Sequence, residues 1–307
     1  MVQIWSATIL FDNVCIRRGA ALHPNDHHIS RSRLADRKIM SDLDSKSYLL
    51  ETMEAFEKAT EQAVALSERR LGVAHTGRQN RVLMAYAKTL AHAMSIQLIY
   101  RNSVRQKTEF GFLDHFSIGT LTRTLIDASI MTLYLSEPSL SEAEWDLRRN
   151  VLFLHDASNR KRFLISMNKH VGTTLSTDEL DAHRENKDGL LKVIMQRGKE
   201  LGLDEARIEE LSNGQFVFIN GVRGAVSEAG IDKNGFEFIH TYLSNHVHSH
   251  PVSLMRQEKI SFEAPTDFQM SFCAICLEAA TQYLENARSR IDEFTGEMAR
   301  DPNGHID

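Results

Sequence analysis

The stretch "FSIGTLTRTLIDASIMTLYL", from Phe116 to Leu135, decides the fold class. Its apolar residues fall on every side of the predicted helix, and Arg123 and Asp127 are its only charged residues. A helix that is apolar all round is stable in water only when other elements cover each of its faces. The segment therefore predicts the middle helix of a bundle.

Long helical patterns lie on both sides of this segment. Apolar residues recur at three- and four-residue spacing from Ser47 to Gly72, and a second helical pattern runs from Arg78 to Tyr100. After the central segment, "SLSEAEWDLRRN" predicts a fourth helix. Either Ser139 or Ser141 can cap it, and acidic residues occupy its first turn.

The C-terminal half continues in helical patterns. A shorter helix with a polar start ends near Gly202, and the segment "FEFIH" indicates another helix. The last helix opens after Pro265, with Thr266 or Asp267 as its cap. Only "GQFVFING" has a pattern that would suit a strand.

Composition agrees with a fold of long helices. The 307 residues include only five prolines and sixteen glycines, which is few for a turn-rich β architecture. We predict an all-α fold, a single helical bundle of about seven to nine helices. The bundle spans residues 46–300, between a loosely ordered, irregular N-terminal arm over 1–45 and a tail over 301–307.

Charge and targeting signals narrow the class of protein. A net charge of −5 gives no overall positive field that would recruit nucleic acid. The start, "MVQIWSATILFDNVCIRR", lacks the features of a signal peptide, and the chain has no run of eighteen apolar residues. We therefore expect a cytoplasmic protein that does not insert into a membrane.

Two cysteines form a C-x-x-C inside an apolar helical pattern. Cys273 and Cys276 lie in "MSFCAICLEAA", and three cysteines in a long chain do not make a disulfide framework. We interpret the pair as core thiols one helical turn apart. Redox or metal chemistry is the alternative for this motif.

The stretch "FIHTYLSNHVHSHP" (Phe238–Pro251) contains four histidines. On a helix, His240, Ser244 and His248 lie at the edge of the core, while Tyr242 and His246 lie on the other flank. The apolar stripe between them consists of Phe236, Ile239, Leu243 and Val247. A proline disfavours helical geometry in the residue before it, so we expect this helix to end near His250.

Three interpretations of this stretch stay open. It can be a helix end with structural histidines, or a metal-free pocket in which His248 acts as acid or base near neutral pH. The metal alternative uses Glu237, His240 and His248 as ligands. A di-iron bundle needs a second E-x-x-H from another helix, and the sequence has none. We predict no metal and no cofactor.

The charged residues of the central helix can complete such a pocket. Arg123 and Asp127 are spaced i, i+4 and can therefore pair. Buried charges are costly unless they are paired and hydrogen-bonded. The pair is either a buried structural ion pair or an arginine that its aspartate holds in place for an anion.

Two segments resemble a known family. "TRTLIDASIMTLYL" is similar to the arginine-then-acid central helix of the bacterial domain-of-unknown-function family 5677, and "YLSNHVHSHP" is similar to a second segment of that family. The matching positions are Arg123, Asp127, Tyr242, Ser244, His248 and Pro251, with aspartate in place of an expected glutamate. The resemblance covers roughly residues 50–290. It implies a helical fold and a shared pocket, without an established activity.

A second analogy is to HEPN-type helical ribonucleases, in which an arginine precedes a histidine by four to six residues. "RNVLFLH" fits with Arg149, Asn150 and His155, although similar pairs occur elsewhere in this histidine-rich chain. On an ideal helix, Arg149 and His155 lie about 120° apart.

These observations leave two functions to consider. The first is a non-catalytic regulatory or binding module. The alternative is a metal-independent HEPN-like ribonuclease or another phosphate-handling effector. The site residues in either case are His248, Arg123, Asp127, Ser244 and Tyr242. Whether the chain is an enzyme, forms a homodimer, or binds RNA or a nucleotide stays open.

Overall fold

The computed structural model describes residues 44–73, 75–105, 112–248, 250–254, 260–261 and 263–296. In this part of the chain 80% of the residues are helical and no strand occurs, which confirms the predicted all-α bundle. The predicted arm over 1–45 and the tail over 301–307 lie, except for residues 44 and 45, outside the described residues. The helices are α1 (Ser45–Arg69), α2 (Gly77–Arg105), α3 (His115–Leu135), α4 (Glu142–Val171), α5 (Thr177–Glu200), α6 (Glu205–Leu211), α7 (Gly221–Glu228), α8 (Lys233–Val247), α9 (Pro251–Leu254) and α10 (Asp267–Gly296).

The main core surrounds α3. The helix α2 packs along α3, α10 packs against both of them, and α1 packs along α10. On another side of α3 lie α8 and the short α7. The apolar residues that point in all directions from α3 are therefore covered, as the sequence predicted.

Side-chain caps fix where the helices begin. Of the two serines proposed as caps of α4, Ser141 caps it, in a capping box with Glu144. At the start of α10, the Thr266 hydroxyl accepts a hydrogen bond from the backbone N–H of Gln269 (3.3 Å). Each such bond satisfies a backbone donor that has no partner within its own helix.

Three arginines bind the buried C-terminal end of α3. The last carbonyls of a helix have no intrahelical donor, and an interior helix end cannot rely on water. Arg78 of α2 donates from Nε to the carbonyl of Leu135 (3.0 Å), and Arg148 of α4 donates from Nη1 to the carbonyl of Tyr134 (2.7 Å). Arg290 of α10 donates to a third carbonyl of this end (3.4 Å). Three separate helices thus meet at one helix terminus.

Acidic side chains balance this concentration of positive charge. Glu137 accepts from Arg290 (3.2 Å), and Glu228 of α7 pairs with Arg148. Burial, and then the nearby charge of Arg148, lower the pKa of Arg78 to about 10. With this pKa, Arg78 stays charged at neutral pH, so the carbonyl of Leu135 keeps a cationic donor.

A second, smaller core joins the first half of α4, the last third of α5 and the short helix α6. Its buried residues are Leu147, Val151, Leu154, Ile194 and Leu211. Beyond this core, α4 and α5 continue as a helical hairpin, whose base still packs on the core through the partly buried Leu190 and Leu191. None of its residues from 158 to 193 is buried. We call this segment (residues 158–193) the distal hairpin.

The strand-like stretch "GQFVFING" is a loop beside this second core. Phe216 and Ile219 pack against the core, and the ring of Phe218 meets that of Tyr134 edge-on (5.0 Å between centroids). Three of its four consecutive apolar residues pack against the two cores, and none of them is in a strand.

The helix α2 is apolar on two faces. One face packs in the main core, while Met84, Met94 and Leu98 are exposed on the other. The stretch Gly77–Ser103 is long and apolar enough to cross a membrane by length and composition alone, and only part of it is buried in the fold. The core helix of a soluble protein meets the same criterion, so this stretch is weak evidence for a membrane span.

The arginine contacts of α3 yield a stability prediction. We expect Arg148→Ala to lower the free energy of unfolding by about 3 kcal/mol, because it leaves a buried carbonyl without a donor and Glu228 without its partner. The matched control is Arg160→Ala, which removes an exposed ion pair with Asp156 and is expected to cost about 0.5 kcal/mol or less. Urea unfolding followed by circular dichroism measures both. Equal losses in the two variants would contradict the assignment.

Candidate functional site

Four polar side chains meet where α3 packs against α8. Arg123 donates from Nε to the hydroxyl of Ser244 (3.1 Å), and its Nη1 forms an ion pair with Asp127. The Nε2 of His240 lies 3.7 Å from Oδ1 of Asp127. We call these four residues the polar ring. Each helix contributes an i, i+4 pair, and the two helices run in opposite directions at this point.

Hydrogen bonds orient the members of the ring. The Ser244 hydroxyl donates to the backbone carbonyl of His240 (2.7 Å), which leaves its oxygen to accept from Arg123. The aromatic ring of Phe236 lies 4.6 Å from that of His240 and fixes one side of the imidazole. The guanidinium of Arg123 is thus held from two directions.

The exposure of the ring is uneven. The side chain of Arg123 is 15% exposed, whereas that of Asp127 is 50% exposed. The sequence suggested a buried pair, and only the arginine half of that interpretation is correct. Among the described residues Arg123 pairs with Ser244 and Asp127 alone, and neither contact uses its Nη2.

A glycine allows the close packing that forms this site. A Cβ on Gly119, one turn before Arg123, would lie 2.8 Å from a ring atom of Phe272 on α10. It would also contact Leu243, the buried residue of α8 beside Ser244. With any larger residue at this position, α3 could not approach α8 and α10 as closely.

The structure does not bring His248 to Arg123. The helix α8 ends at Val247, and His248 occupies its C-cap, where the backbone leaves the helix. Its side chain is exposed and stacks on that of His250, with 5.5 Å between ring centroids. The histidine of the site is therefore His240. The sequence had placed it on the same face of the helix, two turns before His248.

Tyr242 also lies apart from the polar ring. It sits on the opposite flank of α8, as its position in the sequence predicted. Its ring lies 5.3 Å from that of His246 and 5.9 Å from that of Phe272. Of the five predicted site residues, Arg123, Asp127 and Ser244 come together, while Tyr242 and His248 do not join them.

The proposed metal ligands do not converge. Within the described ranges, no three His, Cys, Asp or Glu residues lie close enough together to hold a metal ion. Glu237 pairs with Arg223 (2.8 Å) instead of facing His240. Cys273 and Cys276 are buried, as expected for core thiols, and burial raises the pKa of both. A thiol that stays protonated is a poor nucleophile and a poor ligand.

The residues of the "RNVLFLH" motif have different partners. Arg149 donates to Asp146 (2.8 Å), which also accepts from Arg197 (2.7 Å). The ring of His155 contacts the amide of Asn159 (3.1 Å). The arginine belongs to the α4–α5 ion pairs, and the histidine lies on a different part of the helix surface.

One cavity was not predicted. It has a volume of about 230 Å³ and is lined by Arg148, Glu228 and Asn220, among other residues. The sequence offered no signal for it, because Arg148 and its neighbour Arg149 look alike in "DLRRN". Only the fold shows that the first is buried at the end of α3 and that the second lies at the surface.

Comparisons with known proteins found no family model, no curated protein and no solved structure that matches this chain. The resemblance to family 5677 and the analogy to HEPN-type ribonucleases therefore rest on the quoted residues alone, and both stay hypotheses.

The half-exposed aspartate makes the stability of the ring testable. We expect Asp127→Ala to cost about 1 kcal/mol, since an ion pair with one solvated partner contributes little. A fully buried pair would cost about 3–5 kcal/mol. Denaturant unfolding of the variant and the wild type measures the difference. A loss near the upper value would mean that water does not reach Asp127.

The ligand geometry also leads to a prediction about metal content. We expect purified protein to hold well under one zinc or iron per chain, because the candidate ligands point to different partners. Elemental analysis after gel filtration tests this. One equivalent of metal that disappears in His240→Ala or His248→Ala would contradict it.

Proposed function

We propose that this chain is a non-catalytic binding module that recognises an anionic group, a phosphate or a carboxylate, through the polar ring. The observation that carries the proposal is the state of Arg123. Its guanidinium is largely shielded from water, held by Ser244 and Asp127, and left with unused donors.

A pre-positioned arginine suits anion recognition. Its planar fork matches two oxygens of a carboxylate or phosphate. Because Ser244 and Asp127 already fix the side chain, little rotamer freedom is lost on binding. Partial exclusion of water strengthens each hydrogen bond to the ligand.

The other members of the ring suit a ligand that also carries a donor. Asp127 is half exposed and can accept a hydrogen bond from the ligand. His240 lies beside it and adds a positive charge when protonated. A small anion with hydroxyl or amine groups would use both kinds of contact.

The position of the histidines supports binding over catalysis. A general base must come within hydrogen-bond reach of the proton that it removes. His248 is exposed at the end of α8 and away from Arg123, while His240 is turned toward Asp127. A ribonuclease reaction would therefore have to use His240. The experiment must distinguish this alternative from anion binding without catalysis.

The test is a thermal-shift and calorimetric titration with inorganic phosphate, adenosine monophosphate and succinate. We expect at least one probe to stabilise the wild type saturably, by about 2.7 kcal/mol at a hundred times its Kd. Arg123→Gln should lose this stabilisation. His248→Ala, the matched control on the neighbouring helix end, should keep it.

Two outcomes would contradict the proposal. The first is a failure of the binding test: no probe stabilises the wild type, or a folded Arg123→Gln variant binds as well as the wild type. The second is cleavage of a short RNA by the wild type that is lost in His240→Ala, which would favour the ribonuclease.

A further inference from the structure

The distal hairpin lacks an interior of its own. None of its residues from 158 to 193 is buried, although α4 and α5 run side by side there. Between the two helices lies an open cleft of about 460 Å³. A two-helix hairpin with no buried side chain gains little from packing. Such a segment is stabilised when another element covers its open side.

An apolar ridge borders the cleft on α4. Phe163, Met167 and Val171 are 65%, 42% and 60% exposed. Their i, i+4, i+8 spacing places them on one face of the helix. Asp156 and Arg160, which line the cleft, lie on that same face. The ridge is therefore the rim of the cleft on its open side.

Small residues mark the side of α5 that borders the cleft, and we call this surface the groove. Ala182 and Asn186 line the cleft, and Gly189 follows on the same face. A Cβ on Gly189 would meet nothing within 4 Å. Small side chains on this face leave space for large side chains from another helix.

The two helices of the distal hairpin also differ in charge. Residues 158–171 contain four lysines and arginines and no acidic residue, while residues 177–193 contain five acidic and three basic residues. Arg160 and Arg184 pair within their own helices, and no described ion pair joins these two stretches. A basic stretch of α4 therefore lies beside a weakly acidic stretch of α5, and most of these charges form no ion pair among the described residues.

We propose that a second copy of this chain lays its distal hairpin against the open side of the cleft, so that the two hairpins form a four-helix bundle. A two-fold axis then places the ridge of each α4 in the groove of the partner's α5. The same axis sets the basic stretch of one copy beside the acidic stretch of the other. The surface is self-complementary in shape and in charge, as a two-fold interface requires.

The size of the surface sets the strength of this dimer. At 1.5 Å per residue each helix of the distal hairpin is roughly 20–25 Å long, and the pair is roughly 20 Å wide. The contact then buries on the order of 1,000 Å² in total, near the lower limit for specific interfaces. A reversible dimer with a Kd of about 1–100 μM is expected.

Sedimentation equilibrium of the full chain, from about 1 to 300 μM, tests the proposal. We expect a monomer–dimer equilibrium that Phe163→Lys weakens at least ~10-fold, because a lysine on the ridge cannot be buried in the groove. Ile165→Lys is the matched control. Ile165 is 48% exposed on the opposite face of the same helix, so the equilibrium should stay unchanged.

Gly189→Leu tests the groove without weakening the fold. Leucine favours a helix by about 1 kcal/mol over glycine, so the monomer should melt no lower than the wild type. The side chain fills the groove that receives the ridge of the partner, and dimerisation should fall at least ~10-fold.

Three results would overturn the proposal. One is a wild type that stays monomeric over the whole range. Another is equal dimerisation of Phe163→Lys, Gly189→Leu and the wild type. The last is a dimer that survives these changes but is lost in Met94→Lys, which would place the interface on the exposed face of α2.

Discussion

The buried end of α3 is the constraint on which the rest of the molecule depends. A helix that stops inside a protein presents carbonyls that need donors, and the donors must come from other elements. Arg78, Arg148 and Arg290 supply them from α2, α4 and α10. Because the reach of an arginine side chain is limited, the three helices must lie close to the same point. The main core and the second core are joined there through Arg148.

The polar ring depends on this positioning at the other end of α3. Gly119 lets Phe272 of α10 lie against the helix, and Leu243 of α8 packs beside it. Arg123 follows one turn later and meets Ser244 at hydrogen-bond distance (3.1 Å). The proposed recognition site therefore lies on packed helices, where side-chain geometry is held more tightly than on a loop.

The sequence predicted what depends on periodicity and little of what depends on distant contacts. The all-round apolar pattern of 116–135 is visible in the chain, and so is the i, i+4 spacing of Arg123 and Asp127. A sequence pattern locates a helix end only to within one or two residues. Here the helix ends at Val247, one residue before His248, so His248 does not share the face that carries His240 and Ser244. Arg148 is buried because it contacts the end of α3. No local sequence pattern of α4 predicts where that end lies.

A hairpin with no buried side chain opens at little cost in free energy, while the rest of the bundle stays folded. Local opening of this kind exposes backbone to proteases when the global fold is intact. For this chain the vulnerable segment is 158–193, and its protection does not come from the main core. We therefore expect limited proteolysis to cut this segment before the rest of the bundle, and a partner that covers its surface to slow the cleavage.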